Sequence, residues 1–260
     1  LMKSIKESFT TDAINIKTYP LGEYDNIVVM FSRQYGLIKG IAKGVKRPKS
    51  KLGARMQMLV ANKIMLKNGR NFDTICEAQA LNTFTKLRTN LDKLTYSMYL
   101  TEIINAMCTD SDEDLENNEK IYQLFYNALE GISNSLNKTE IFLHSIRFQL
   151  KFMAQIGYGA EFETCLKCGC KIADGAYFSV SSGGVVCKNC RHGSDVYIGL
   201  HKKIREFLIA QQNCKNGEKT QYDKLVDENF CEKCFLLLKK YIDSHASRPA
   251  RALKVLKEIT

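Results

Sequence analysis

Four of the ten cysteines stand in two Cys-x-x-Cys pairs, Cys165-Leu166-Lys167-Cys168 and Cys187-Lys188-Asn189-Cys190, with eighteen residues between them. Such a pair folds as a tight knuckle that aims two sulfurs at one point. A hairpin of this length brings two knuckles together, so the spacing predicts a tetrahedral four-cysteine zinc site. Gly169 and Gly183-Gly184 supply the turns, and Lys167, Lys171 and Lys188 favour deprotonated thiols. With every ligand position filled by protein there is no place for a reacting water, so the site is read as structural. Free thiols or a redox pair are the other reading. Cys170 is near enough to replace a ligand, in a poorer register. Cys231 and Cys234 share one face of an expected helix beside Phe235 to Leu238 and read as core thiols. Cys76, Cys108 and Cys214 stand alone, and His144 and His192 are read as structural.

A second chemistry lies in the charge. From Asn26 to Phe72 there is no Asp or Glu, yet there are eleven Lys or Arg. Removing those eleven from 38 basic residues leaves 27 against 28 acidic ones, so this block carries the whole excess of the +10 net charge. A one-signed field of this kind attracts a polyanion. Seven of the seventeen residues from Lys39 to Arg55 are basic: Lys39, Lys43, Lys46, Arg47, Lys49, Lys51 and Arg55. After Val45 the run reads as a loop stiffened by Pro48, suited to phosphate contacts that need charge more than direction. Tyr19, Tyr24, Phe31, Tyr35 and Phe72 are available to stack on bases, although most are expected in the core.

Other chemistry is missing from the sequence. There is no Gly-x4-Gly-Lys-Ser/Thr, no His-Glu-x-x-His, no Gly-x-Ser-x-Gly and no deaminase His-x-Glu with Pro-Cys-x-x-Cys. The basic block lacks the carboxylates a two-metal nuclease needs, and Glu161 and Glu163 read as surface groups. No catalytic residue is assigned.

These residues must be held by something. Residues 12–81 read as five β runs punctuated by Gly22, Gly36, Gly53 and Gly69: Thr11–Tyr19, Asn26–Phe31, Gly36–Val45, Met56–Lys67 and Phe72–Leu81. That number of strands in a short stretch suggests a small barrel or meander. From Thr85 the period becomes helical, with Leu87, Leu91, Leu94, Met98, Ile103 and Met107 on one face of a long helix. An acidic connector follows (Asp110, Asp112, Glu113, Asp114, Glu116, Glu119), then helices over about 115–136 and 139–157. Residues 160–197 are the ribbon, and helices return near 200–213, 222–245 and 249–258. No run approaches a membrane span, and Met2–Glu7 lacks the apolar core of a signal peptide. An intracellular chain with reduced or metal-bound cysteines is expected.

Several stretches resemble one known family. Leu21-Gly22-Glu23-Tyr24-Asp25-Asn26-Ile27-Val28, Tyr35-Gly36-Leu37-Ile38 and Ala42-Lys43-Gly44-Val45-Lys46-Arg47-Pro48-Lys49-Ser50 are similar to segments of the RecO family of recombination and repair proteins. The two cysteine pairs match a zinc motif many members carry, and Ser247-Arg248-Pro249-Ala250-Arg251-Ala252-Leu253 resembles the family's closing basic helix. The resemblance implies an α+β multidomain protein: an N-terminal OB-fold β-barrel over 1–82, then an α-helical domain over 83–260 with an inserted four-cysteine zinc ribbon at about 160–197. It implies binding of single- and double-stranded DNA, strand annealing, and partnership with RecR and single-stranded DNA-binding protein to help load RecA, in the bacterial cytoplasm at the nucleoid. Arg147 and Lys151, on the apolar helix 139–157, are candidate receptors for the acidic, apolar tail of single-stranded DNA-binding protein. Two other readings stay open on composition: an RNA-associated zinc-ribbon protein, marked by preference for folded RNA, and a nucleic-acid enzyme, marked by metal-dependent turnover.

Overall fold

The computed structural model describes residues 8–108, 114–192, 195–215 and 218–254. The chain divides into two compact units, Leu1–Leu129 with Ala252–Thr260, and Glu130–Arg251.

The first unit is built on a closed barrel. Its strands are β1 (Ser8–Leu21), β2 (Asp25–Ser32), β3 (Gly36–Ala42), β4 (Ala61–Lys67) and β5 (Asp73–Asn82), in the order β1-β2-β3-β5-β4. All neighbours are antiparallel except β3 and β5, which close the barrel in parallel. The long β1 serves two partners. Its first half pairs with β4, its second half with β2, and an irregularity between Asn15 and Lys17 bends it between them. Alternate residues point inward, and Ala13, Val28, Met30, Ala42, Ile64, Leu66 and Ile75 fill the interior. Gly40 is required at the closure: a Cβ there would meet Ile75 at 2.7 Å and Leu66 at 3.0 Å.

The expected strand Met56–Lys67 begins only at Ala61. Met56, Leu59 and Val60 are buried, but Met56 and Leu59 lie in turns, Val60 belongs to no strand, and Leu59 has φ 62. Apolarity here reports burial, not extension. The single helix expected from Thr85 is two elements, a 3-10 turn Thr85–Thr89 and helix α1 (Leu91–Met107). Asn90 separates them with extended backbone and caps α1, its side chain accepting from Lys93 N at 3.0 Å. Helix α2 (Leu115–Asn134) starts after Asp114, whose carboxylate accepts from Asn117 N at 3.0 Å. Asp110, Asp112 and Glu113 lie outside the described residues, as do Met2–Glu7.

The second unit holds α3 (Lys138–Gln155), α4 (Lys202–Asn213) and α5 (Glu228–His245), with a three-stranded sheet of β6 (Ala176–Ser179), β7 (Gly184–Val186) and β8 (Tyr197–Leu200) in the order β7-β6-β8. Helices α3 and α5 pack together, with Phe142 and Phe235 ring centroids 5.6 Å apart. Cys231 and Cys234 are fully buried in this core, and burial pushes the Cys231 thiol up to about 12. The helix expected from 222 starts at Glu228, because Asp227 caps it and Tyr222–Leu225 form a turn. Of the expected last helix, residues 255–258 lie outside the described residues.

Candidate nucleic-acid interface and metal centre

Between β3 and β4 the chain leaves the sheet at Lys43 and returns at Ala61. This segment carries the basic run and is a chain of hydrogen-bonded turns. Arg47 N donates to Gly44 O (3.1 Å), Ser50 N to Arg47 O (3.1 Å), Gly53 N to Ser50 O (3.3 Å) and Met56 N to Leu52 O (2.9 Å). Lys49 sits in left-handed backbone at φ 68. Val45 and Met56 are buried in the barrel core and Leu52 packs against it, while Lys43, Lys46, Arg47, Lys49, Lys51 and Arg55 are exposed. Apolar anchors thus point in and cations out. Lys43, the first residue after β3, already points to solvent. Lys39 is half-buried on β3, opposite Val29.

The two ends of the loop are tied down separately. At its start, Gly44 N donates to Asp25 Oδ1 (2.7 Å), Lys46 N to Tyr24 O (3.0 Å) and Lys46 Nζ to Gly22 O (3.3 Å). The Arg47 guanidinium lies 4.9 Å from the Tyr24 ring centroid. At its end, Asn15 Nδ2 donates to Arg55 O (2.7 Å) and Gln57 O (2.8 Å), and Asn62 Nδ2 donates to Arg55 O (2.8 Å). The Arg55 guanidinium turns back onto Lys51 O. Lys43, Lys49 and Lys51 have no ion-pair partner among the described residues, whereas Arg33 of the same basic block is paired with Glu119 at 2.5 Å.

The aromatic residues differ from expectation. Only Phe31 is core; Tyr19, Tyr24, Tyr35 and Phe72 are 38–44% exposed. They stand at strand ends and turns, where the barrel interior is out of reach. Lys17 lies over the Tyr19 ring at 4.7 Å, and Tyr35 packs edge-on against Phe9.

In the second unit the four cysteines of the two pairs converge. The sulfurs of Cys165, Cys168, Cys187 and Cys190 all lie within 4.8 Å of one another, and those of Cys168 and Cys187 are 3.9 Å apart. A tetrahedron with metal–sulfur bonds of about 2.3 Å requires sulfurs about 3.8 Å apart, so the residues fit a metal ion. The first knuckle is closed by Gly169 N donating to Cys165 O (2.9 Å) and the second by Cys190 N donating to Cys187 O (3.0 Å). Gly183 (φ 69) turns β6 into β7 beneath Tyr241, whose hydroxyl would lie 2.3 Å from any Cβ there.

Burial alone would raise the Cys165 thiol. Backbone N–H groups of Cys187, Cys168 and Lys167 outweigh it and hold the thiol down at about 6, with Cys187 N donating to the sulfur at 3.4 Å. Four anions cannot share this volume unaided: Cys190 is pushed up to about 12, first by its hydrogen bond with Cys187. A divalent cation is what lets all four act as thiolates. Cys170 is likewise pushed up to about 12, first by a hydrogen bond with Cys168, and lies outside the four. The Lys167 ammonium donates to His192 O (2.9 Å) and Tyr197 Oη (3.0 Å), and its charge is also attracted to the Cys190 sulfur.

On α3, Arg147 is engaged within its own unit. It donates to Gln211 Oε1 (2.7 Å) and pairs with Asp223 (2.6 Å), the side chains being 15% and 8% exposed. Lys151 Nζ donates to Cys214 O (2.5 Å). Sequence spacing gave no sign of these partners, which lie 63–76 residues away.

The chain is thus a closed five-stranded barrel of OB type followed by helices and a four-cysteine cluster able to hold a metal ion, and no helix among the described residues is long and apolar enough to cross a membrane. The family model described as Recombination protein O N terminal matches residues 2–84, and Recombination protein O C terminal matches residues 88–254. A DNA repair protein RecO of Caldanaerobacter subterraneus is 32% identical over 216 residues, 83% of this chain and 82% of its own. Those of Clostridium novyi and Pelotomaculum thermopropionicum are 31% and 28% identical, each over 95% of this chain and 93% of its own. The chain belongs to the RecO family of DNA repair and recombination proteins.

Proposed function

We propose that the protein is a non-catalytic mediator of DNA recombination and repair that binds single- and double-stranded DNA through the barrel loop and anneals complementary strands. Lys39, Lys43, Lys46, Arg47, Lys49, Lys51 and Arg55 neutralise phosphates, and neutralising both strands lowers the repulsion that keeps them apart. One observation carries this reading: a loop whose cations face solvent, on a backbone anchored at both ends, in a stretch with no acid. Exposed Tyr19, Tyr24 and Phe72 on the same barrel are suited to stacking on bases.

The four cysteines hold one Zn2+, favoured by an all-thiolate tetrahedral donor set. Its contribution is to cross-link the two knuckles, since the protein fills every ligand position. Family membership supports RecR and single-stranded DNA-binding protein as partners, RecA as the indirect beneficiary, and a cytoplasmic, nucleoid-associated location. Arg147 and Lys151 are the proposed receptors of the acidic tail of single-stranded DNA-binding protein, whose carboxylate would take the place of Asp223 at Arg147.

The test is annealing of two complementary labelled oligonucleotides, bare and coated with single-stranded DNA-binding protein. Acceleration without any nucleotide cofactor, persisting on coated strands, is the expected result. Binding without acceleration would reduce the protein to a general nucleic-acid-binding module.

A further inference from the structure

The ribbon presents a feature that the metal site does not use. Beside the second knuckle lies an open, polar cleft of about 530 Å3 lined by Tyr177, Lys188, Arg191, His192, Asp195 and Tyr197. Ser179 pairs with Tyr197 across β6 and β8, and Tyr177 lies two residues along β6, so both tyrosines share one face of the sheet. The other face carries Ala176 and Phe178, both buried. Each ring is accompanied by a cation. The Arg191 guanidinium is 4.3 Å from the Tyr177 ring centroid, and the Lys167 ammonium is 5.7 Å from that of Tyr197 and bonded to its hydroxyl. Lys188 adds a third positive charge to the wall. The single acid, Asp195, is turned into the framework, its carboxylate accepting from Ser179 Oγ, Ser181 Oγ (2.7 Å) and Val196 N (2.7 Å).

We propose that this cleft is a second nucleotide-binding site, which takes one base and its phosphate from single-stranded DNA. Aromatic faces interleaved with cations are what a nucleotide unit requires, the ring for the base and the charge for the phosphate. An inorganic anion would have no use for the rings, and an apolar peptide side chain would find a polar floor. The inference rests on the DNA-binding reading above and extends it: each compact unit then holds a strand segment of its own, one on the barrel loop and one on the ribbon.

The full-length chain is photocrosslinked to a thymidine oligonucleotide carrying iododeoxyuridine, and the adducts are mapped by mass spectrometry. Adducts at Tyr177 or Tyr197 are expected. The Lys188→Gln/Arg191→Gln variant should lower the salt slope of single-strand binding by about 0.7 for each cation removed. Tyr177→Leu, which leaves both knuckles untouched, should abolish the ribbon adduct while bound metal stays at the parent level. If the Lys46/Arg47/Lys49 loop variant lowers the slope but the ribbon variants change neither slope nor adducts, the cleft is not a DNA site and the barrel reading survives. If neither set changes the slope, the DNA-binding reading fails and takes this inference with it.

Discussion

Asn15 and Asn62, on the paired strands β1 and β4, donate to the same carbonyl oxygen, that of Arg55. Two side chains inside the barrel wall thus fix the exit of the cationic loop. Loss of either donor leaves the carbonyl half-served, and loss of both leaves it unsatisfied. Asn15→Ala and Asn62→Ala should each cost on the order of 1 kcal/mol in urea unfolding, and the double variant more than their sum. Additive costs would show that the shared carbonyl is not what the two amides hold.

The loop cations should be countable in solution. Replacing Lys46, Arg47 and Lys49 together with alanine should flatten the dependence of log binding constant on log salt by about 2 units on single strands and nearly 3 on duplex. An unchanged slope would sink the phosphate assignment.

The ribbon depends on its four sulfurs acting together. Cys168→Ser or Cys187→Ser should release metal, and a strong chelator should melt β6–β8 in the parent protein. Metal content by atomic absorption, together with amide exchange in residues 176–186 and 197–200, reads both. Full metal retention in Cys168→Ser would mean that Cys170 substitutes as a ligand.

His144 lies against Gly131, where a Cβ would be 2.3 Å from its Nδ1. Burial first, then the nearby positive charge of Arg147, lowers its imidazole to about 4. The folded chain therefore resists a proton that the unfolded chain accepts near 6.5. Stability is unaffected above that pH and falls as pH drops from about 6.5 towards 4, by up to roughly 3 kcal/mol. Glu140 and Asp223 oppose the shift and Lys219 adds to it. Unfolding midpoints measured across that window should fall in the parent and stay flatter in His144→Asn. Parallel curves would place the acid sensitivity elsewhere.

Asp223 should compete with any acidic ligand for Arg147. Asp223→Asn removes that competitor, so it should tighten binding of an acidic, apolar peptide while lowering stability, because Arg147 loses its buried partner. Unchanged peptide affinity would remove Arg147 from the partner site.

What could be read from the residues alone followed how local the signal was. The four-cysteine cluster was legible because each knuckle is closed within four residues. The barrel was legible as β-rich runs between glycines. Met56–Val60 reads as strand by apolarity alone, but apolar side chains can be buried from turns and irregular chain as readily as from a strand. The break at Asn90 had a signal, an Asn followed by Leu-Asp-Lys, that helical periodicity overrode. Tyr19, Tyr24, Tyr35 and Phe72 look like core residues by type, and only their places at strand ends and turns expose them. The Arg191–Tyr177 and Arg147–Asp223 pairs join distant stretches of chain, so no spacing rule announces them.

The parallel seam of the barrel consists of two residue pairs, Gly40 with Asp73 and Ile41 with Thr74. A sheet with this order left open would show two raw borders, each a template for another chain. Two pairs are enough to join them, while four long antiparallel pairings hold the rest. The barrel therefore behaves as a sleeve with one narrow clasp. The clasp sits at the root of the cationic loop, so the loop leaves the barrel where its wall is joined by the fewest pairs.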